Sequence, residues 1–228
     1  MTNLSDLFPA GAGKQVSFTA SGNVTSSGKP VILNSDGTVT EVSGSPTVVG
    51  NLGQFEAGTT NETATVYDPN ANKIVVVYRD DSNSYYATSV VGTITGGSTN
   101  TVSWGTPVVF VSYGCNAFAP VFQSHDNQIV CGFQAHGGGY GGRIQVIAGE
   151  VNGTSMDWYN SGAYDPDGSH ATDYVSAAYD ANAQKTVLAW KKNDNSTGNY
   201  TVESCVVSVS GTGTSANATT GAISQLDN

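Results

Sequence analysis

The chain has 228 residues, long enough for one substantial β-domain or two small ones with a properly buried core. Its 28 Gly, 11 Tyr, 7 Phe and 3 Trp sit in a matrix of Ser, Thr, Asn and Val, with only 8 Lys+Arg against 18 Asp+Glu. That balance suits pleated strands joined by tight turns; the formal net charge of -10 argues against a nucleic-acid partner, and no apolar run is long enough for membrane insertion.

The N-terminus, Met1 to Leu7, has neither a positive n-region nor an apolar h-region, so no signal peptide is read and synthesis in a cytoplasm is expected. Ser5 to Phe8 suits one helical turn before Pro9, and Leu4, Leu7 and Phe8 form an apolar knob suited to docking. Lys14 to Ala20 alternates at period two. Pro30 to Val42 is the clearest hairpin, with strands Val31 to Leu33 and Thr38 to Val42 around the turn Asn34-Ser35-Asp36-Gly37. A Gly-rich connector follows, and the boundary falls near Ala57 to Thr60. The expected division is residues 1–58, an N-terminal anchor or adaptor region, and residues 59–228, a repeat domain.

Within the second part a pattern recurs. NKIVVVY at Asn72 to Tyr78 is answered by NQIVCGF at Asn127 to Phe133 and QKTVLAW at Gln184 to Trp190, shifts of 55 and 57 residues, each run ending in an aromatic. The flanks recur too: ATVYDPNA, APVFQSHD and SAAYDANA upstream, then YYATSVVGTI, GRIQVIAGEV and YTVESCVVSV downstream. A fourth strand is expected at Val102 to Phe110 and at Met156 to Tyr164, with Trp104 matching Trp158, and weakly around Thr219 to Ile223. The expected fold is therefore all-β: a small N-terminal hairpin region followed by three tandem four-stranded antiparallel propeller-blade-like repeats, at about 62–115, 116–170 and 171–228. Blade faces lean on their neighbours, so three blades imply an unsatisfied face, met by other copies of the chain, by partners that dock on an open stack, or by the further repeats of a longer array.

Catalytic signatures are absent: no G-x-S-x-G, HExxH, P-loop or dinucleotide fingerprint occurs, and no cofactor is expected. Cys115, Cys131 and Cys205 are an odd set without a CxxC pair and read as small buried hydrophobes. Asp165, Asp167 and Asp173 around a Gly turn partly resemble a calcium loop, but a plain turn is favoured. Asp80, Asp81 and Asp194 are the carboxylates a glycoside hydrolase would use, although acids in an exposed turn usually face solvent.

The N-terminal LSDLFPAGAGKQVSFTASGNV, with VILNSDGTVTEV, YDPNANKIVVVYRDDSNSYYATSVVGTI and WGTPVVF, resembles the tail-fibre-like virion structural proteins of aquatic tailed bacteriophages. The resemblance is strongest in the N-terminus and the first repeat and degenerate in the other two. It implies a non-enzymatic virion component of tail-fibre or head-fibre type, assembled in the host cytoplasm, and for such a fibre-like part a homo-oligomer with a trimer favoured. Its N-terminus would contact other virion proteins while its repeats face outward toward a host-surface glycan or protein. The alternative is a lectin-like carbohydrate-binding propeller module without catalysis. In either case the strand-joining loops carry the recognition residues. The candidates are Arg79, Asp80, Asp81, Tyr85 and Tyr86 in the first repeat, His136 and Tyr140 in HGGGYGG of the second, and Lys191, Lys192 and Asn195 in the third.

Overall fold

A computed structural model describes residues 18–22, 31–41, 53–95, 101–159, 172–194, 198–211 and 217–225. The chain divides into two compact units, Met1–Val49 and Gly50–Asn228. In the first, β1 (Val31–Leu33) and β2 (Val39–Glu41) form the expected hairpin. Its turn is held by the Asp36 carboxylate, which accepts the Thr38 amide at 2.9 Å, while Ala20 bridges Val39 in parallel. Leu4, Leu7, Phe8 and the proposed helical turn lie outside the described residues, as do His170, Asp165, Asp167 and Asn195.

The second unit is all-β, and among its described residues the one helical element is a 3-10 turn at Asp81–Asn83. Strands β3 (Thr60–Asp68), β4 (Lys73–Asp80) and β5 (Tyr86–Thr95) pair antiparallel in sequence order, and β6 (Thr101–Trp104) adds to β5. The next strand, β7 (Val108–Gln123), is 16 residues long. Its first half pairs with β5 and its second half with β8 (Gln128–Ala135), which continues to β9 (Arg143–Asn152) and β10 (Ser155–Trp158). Separately, β11 (Thr172–Asp180), β12 (Lys185–Asp194), β13 (Asn199–Ser210) and β14 (Asn217–Thr220) pair in order, with β15 (Ser224–Gln225) also on β13.

Three antiparallel meanders result, but not as three separate sheets. The first two share β7 and form one eight-stranded sheet; the third is a five-stranded sheet. The single fourth strand expected at Val102 to Phe110 is broken at Gly105-Thr106-Pro107, where proline cannot donate to the ladder. A Cβ on Gly105 would lie 1.8 Å from the Thr154 carbonyl oxygen, so only glycine fits there.

The backbone repeats with the sequence. Glu62, Ala117 and Tyr174, at φ of 53, 52 and 51°, sit at the register shift in the first strand of each meander. Asn72, Asn127 and Gln184, at 54, 55 and 56°, close the turn before each second strand. In two of those turns a carboxylate stands in for a backbone acceptor: Asp68 takes the amides of Asn70 and Ala71, and Asp180 those of Asn182 and Ala183.

Packing follows the pleat. On β4, Val75 and Val77 point to one face and Val76 and Tyr78 to the other. The Val75/Val77 face packs on Ile129, Cys131 and Phe133 of β8, forming the larger core. The opposite face of β8, at Val130, packs on Leu188 and Trp190 of β12. Gly132 replaces a valine at this contact because Leu188 Cδ2 lies 2.9 Å from where a Cβ would stand. Tyr78, Phe133 and Trp190, the aromatics that end the three sequence runs, are all buried at equivalent places. All three cysteines are buried, unpaired thiols, as small apolar residues should be.

Candidate functional site

At the bulge end of the first two meanders an open cavity of about 410 Å3 is lined by Arg79, Ser84, Tyr85, Gly114, Cys115, Asn116, His136 and Gly137. Its wall is the β4–β5 loop. Asp80 ends β4 and caps the 3-10 turn, its Oδ1 accepting the amides of Ser82 at 3.0 Å and Asn83 at 3.1 Å. Ser84 and Tyr85 then turn back with φ of 58 and 65°, two consecutive non-glycine residues in the left-handed region. Such backbone costs on the order of 1–2 kcal/mol per residue and persists where the surroundings hold it. Here the Tyr85 amide donates to the Asp80 carbonyl at 2.9 Å and its carbonyl accepts from Cys115 at 3.2 Å. Tyr85 as a whole is left 55% exposed.

The floor is glycine backbone. His136 and Gly137 donate their amides to the Gly114 carbonyl at 2.8 and 3.0 Å. A Cβ on Gly137 would stand 2.6 Å from the Gly114 nitrogen, so the two strands approach this closely only without it.

Polar side chains complete the rim. Arg79 Nε donates to Asp81 Oδ1 at 2.5 Å and Nη2 to Asp81 Oδ2 at 3.3 Å, while Nη1 donates to the Asn116 carbonyl across the meander boundary. That pairing raises the Arg79 pKa and lowers that of Asp81, the side-chain hydrogen bond being the largest cause of each. The guanidinium also lies 5.3 Å from the Tyr85 ring centre. Asn116 Nδ2 and His136 Nε2 are 2.6 Å apart. The Cys115 thiol, pushed up to about 12 by burial, is no nucleophile at neutral pH.

Of the sequence candidates, Arg79, Tyr85 and His136 are brought together here. Asp80 and Asp81 are both committed, one to the turn and one to Arg79. Tyr86 begins β5 opposite Asp80, and Tyr140 leans on Tyr113 at 4.9 Å between ring centres, beside the cleft and not in it. In the third meander Lys191 lies 3.8 Å over the Tyr200 ring and 3.8 Å from the Asp173 carboxylate. Lys192 turns inward to a buried pair with Glu203 at 2.9 Å. Asp173 also accepts from Gln134 at 3.3 Å, so its carboxylate serves the boundary between meanders.

The residues missed were Asn116 and Gly114. A signal for Asn116 existed: Asn61, Asn116 and Asp173 recur at steps of 55 and 57 residues, an amide or carboxylate at every first-strand bulge. Arg79 to Asn116 and Gln134 to Asp173 are thus the same contact made twice. What the arrangement offers chemically is a preorganised rim of planar polar groups beside an exposed aromatic ring. Fold and cleft define a class: an all-β protein of antiparallel meanders with an open cleft at their bulge end. No protein-family model matches the chain, and no curated protein matches it.

Proposed function

We propose that the chain is a structural protein of a bacteriophage virion, of the tail-fibre or head-fibre type, attached through its N-terminal region. Three stacked propeller-blade-like repeats face outward and touch the host surface. The observation that carries this reading is the convergence of two candidate recognition loops on one open cleft. Arg79 to Tyr86, the stretch in which the resemblance to fibre proteins is fullest, forms its wall, and His136 comes from the corresponding loop of the next repeat.

The chemistry suits a surface glycan. A sugar ring presents an apolar face to an aromatic such as Tyr85, and its hydroxyls pair with planar donors and acceptors such as Arg79, Asn116 and His136. Because these side chains already hold one another in place, little conformational freedom is lost on binding. The same feature favours a second reading, a lectin-like module without a virion.

Two measurements together test the proposal: mass spectrometry of gradient-purified virions for the chain, and binding of wild type and Tyr85→Ala to an array of bacterial surface polysaccharides. The expected result is a chain present in the particle whose binding is lost in the variant. Binding without presence in the particle leaves the lectin module, and no binding by the wild type removes recognition from the cleft.

A further inference from the structure

The third meander carries a face that the other two bury. Val75 pairs with Val91 across β4 and β5, Val130 with Ala148 across β8 and β9, and Val187 with Val206 across β12 and β13. These are the same cross-strand pair at three steps of the repeat. The first two pairs are at most 1% exposed, because the next meander lies on them; Val187 and Val206 are 40 and 44% exposed. Around them the outward positions of the sheet are Ser176, Ala178, Ala189, Val202 and Ser204, small and uncharged, with Lys185, Lys191, Asp173 and Asp180 toward its ends.

The opposite end of the stack is closed. On the second meander Trp158 donates its indole N–H to Ser89 of the first at 2.8 Å and stacks on Phe110 at 4.6 Å. On the first meander no earlier one precedes Trp104 among the described residues, yet its indole donates to the Gly53 carbonyl at 3.2 Å and Phe55 packs on it at 5.2 Å. The Gly53–Ala57 segment therefore makes the contacts that a preceding meander would make. Val76, Tyr78 and Val90 beneath it are buried.

A head-to-tail contact needs both ends open, and among the described residues only one is. We propose that a second copy of this chain covers the open face: two third meanders pack Val187/Val206 face against Val187/Val206 face about a twofold axis, giving a closed dimer. A single self-complementary face per chain produces neither a ring nor a filament, and flat valine, alanine and serine surfaces pack as two layers about 10 Å apart. The central outward positions carry no charge, and toward the ends each carboxylate has a lysine opposite it, Lys191 to Asp173 and Lys185 to Asp180, which limits the repulsion that a chain of net charge -10 would otherwise bring to a contact with itself. This contact stands independently of the virion reading.

The test is sedimentation of the full chain across a dilution series, with Val206→Arg as the variant and carbene footprinting of Val187 and Val206 in the wild type. The expected result is a species of twice the 23.4 kDa chain mass. It should dissociate on dilution and become monomeric in Val206→Arg with the unfolding transition retained, and labelling of both valines should rise as the dimer dissociates. The footprint needs no variant, so a misfolded Val206→Arg does not decide the matter. A wild-type monomer at every concentration overturns the proposal, as does an assembly of any order in which both valines stay fully labelled.

Discussion

Phe55 packs edge-on against Trp104 with ring centroids 5.2 Å apart, and on the other side it meets Tyr78 at the same distance. One residue from outside the meanders thus seals a face whose counterparts on the second and third meanders are sealed by the preceding meander. Repeat proteins need such caps, because a repeat face left open exposes apolar surface.

Phe55→Ala should therefore destabilise the second unit by about 1–2 kcal/mol, the value for a half-buried phenylalanine. The loss should be local first: amide exchange at Tyr78 and Val90 should accelerate before exchange in β12. Unchanged protection at Tyr78 would mean that the segment decorates the sheet without holding it.

Trp190 fills the wedge between the second and third meanders where Phe133 fills the one before. Trp190→Ala should cost about 3–5 kcal/mol in urea unfolding. Trp190→Phe should cost much less, since Phe is the residue at the equivalent place and the Trp190 indole N–H has no hydrogen-bond partner among the described residues. Equal losses in the two variants would contradict the equivalence of these positions.

Gly137→Ala should damage the cleft more than its size suggests. The added methyl meets the Gly114 nitrogen at 2.6 Å and Tyr113 Cβ at 3.0 Å, and backbone cannot give way as a side-chain tip does. A cost of about 1–3 kcal/mol is expected, the range for overpacking, together with loss of any ligand bound by the wild type. Tyr85→Ala, at an exposed ring, should lose the ligand while leaving the unfolding midpoint nearly unchanged.

Stability should fall at both ends of the pH range. Glu56 is held below the usual carboxyl range chiefly by the Gly58 amide, then by Ala57 and the Tyr78 hydroxyl, with burial acting the other way. Asp81 is held down by Arg79. A lowered folded pKa gives stability that is complete above the ordinary values of 4.5 and 3.8 and is lost as pH falls through the folded ones. Burial pushes the Cys115 thiol from 9.0 up to about 12 and Cys205 to about 11. Those thiols cost nothing below pH 9.0 and progressively destabilise the fold as pH rises toward the folded values, because the unfolded chain ionises first. Urea midpoints should be flat between the two limbs, and replacing Cys115 and Cys205 together by Ala should lessen the alkaline one without removing it, since burial also pushes up Cys131, Tyr78, Tyr113 and Tyr159.

The strands were legible because their signal is local: apolar runs of fixed period, turn residues, and an aromatic ending each run at Tyr78, Phe133 and Trp190. The long strand β7 was not, since Val108 to Phe110 reads as the end of one repeat's fourth strand and Ala119 to Gln123 as the first strand of the next, with the repeat boundary between 115 and 116. Only pairing to β5 on one side and β8 on the other makes it continuous. Loops were legible as candidate sites, but the cleft was not. Arg79 and Asn116 are 37 residues apart, and their meeting depends on how the second meander lies on the first. Lys192 shows the converse: adjacent to Lys191 in a loop-like stretch, it points into the core to Glu203 because neighbouring strand residues face opposite ways.

The cleft between the first two meanders is proposed to read a host-surface glycan. The most direct measurement is an amide chemical-shift titration of the full chain with a polysaccharide fragment found on the array. The account predicts saturable shifts concentrated at residues 79–86, 114–116 and 136–137, absent in Tyr85→Ala. Saturable shifts confined to other residues, or persisting unchanged in that variant, would contradict it.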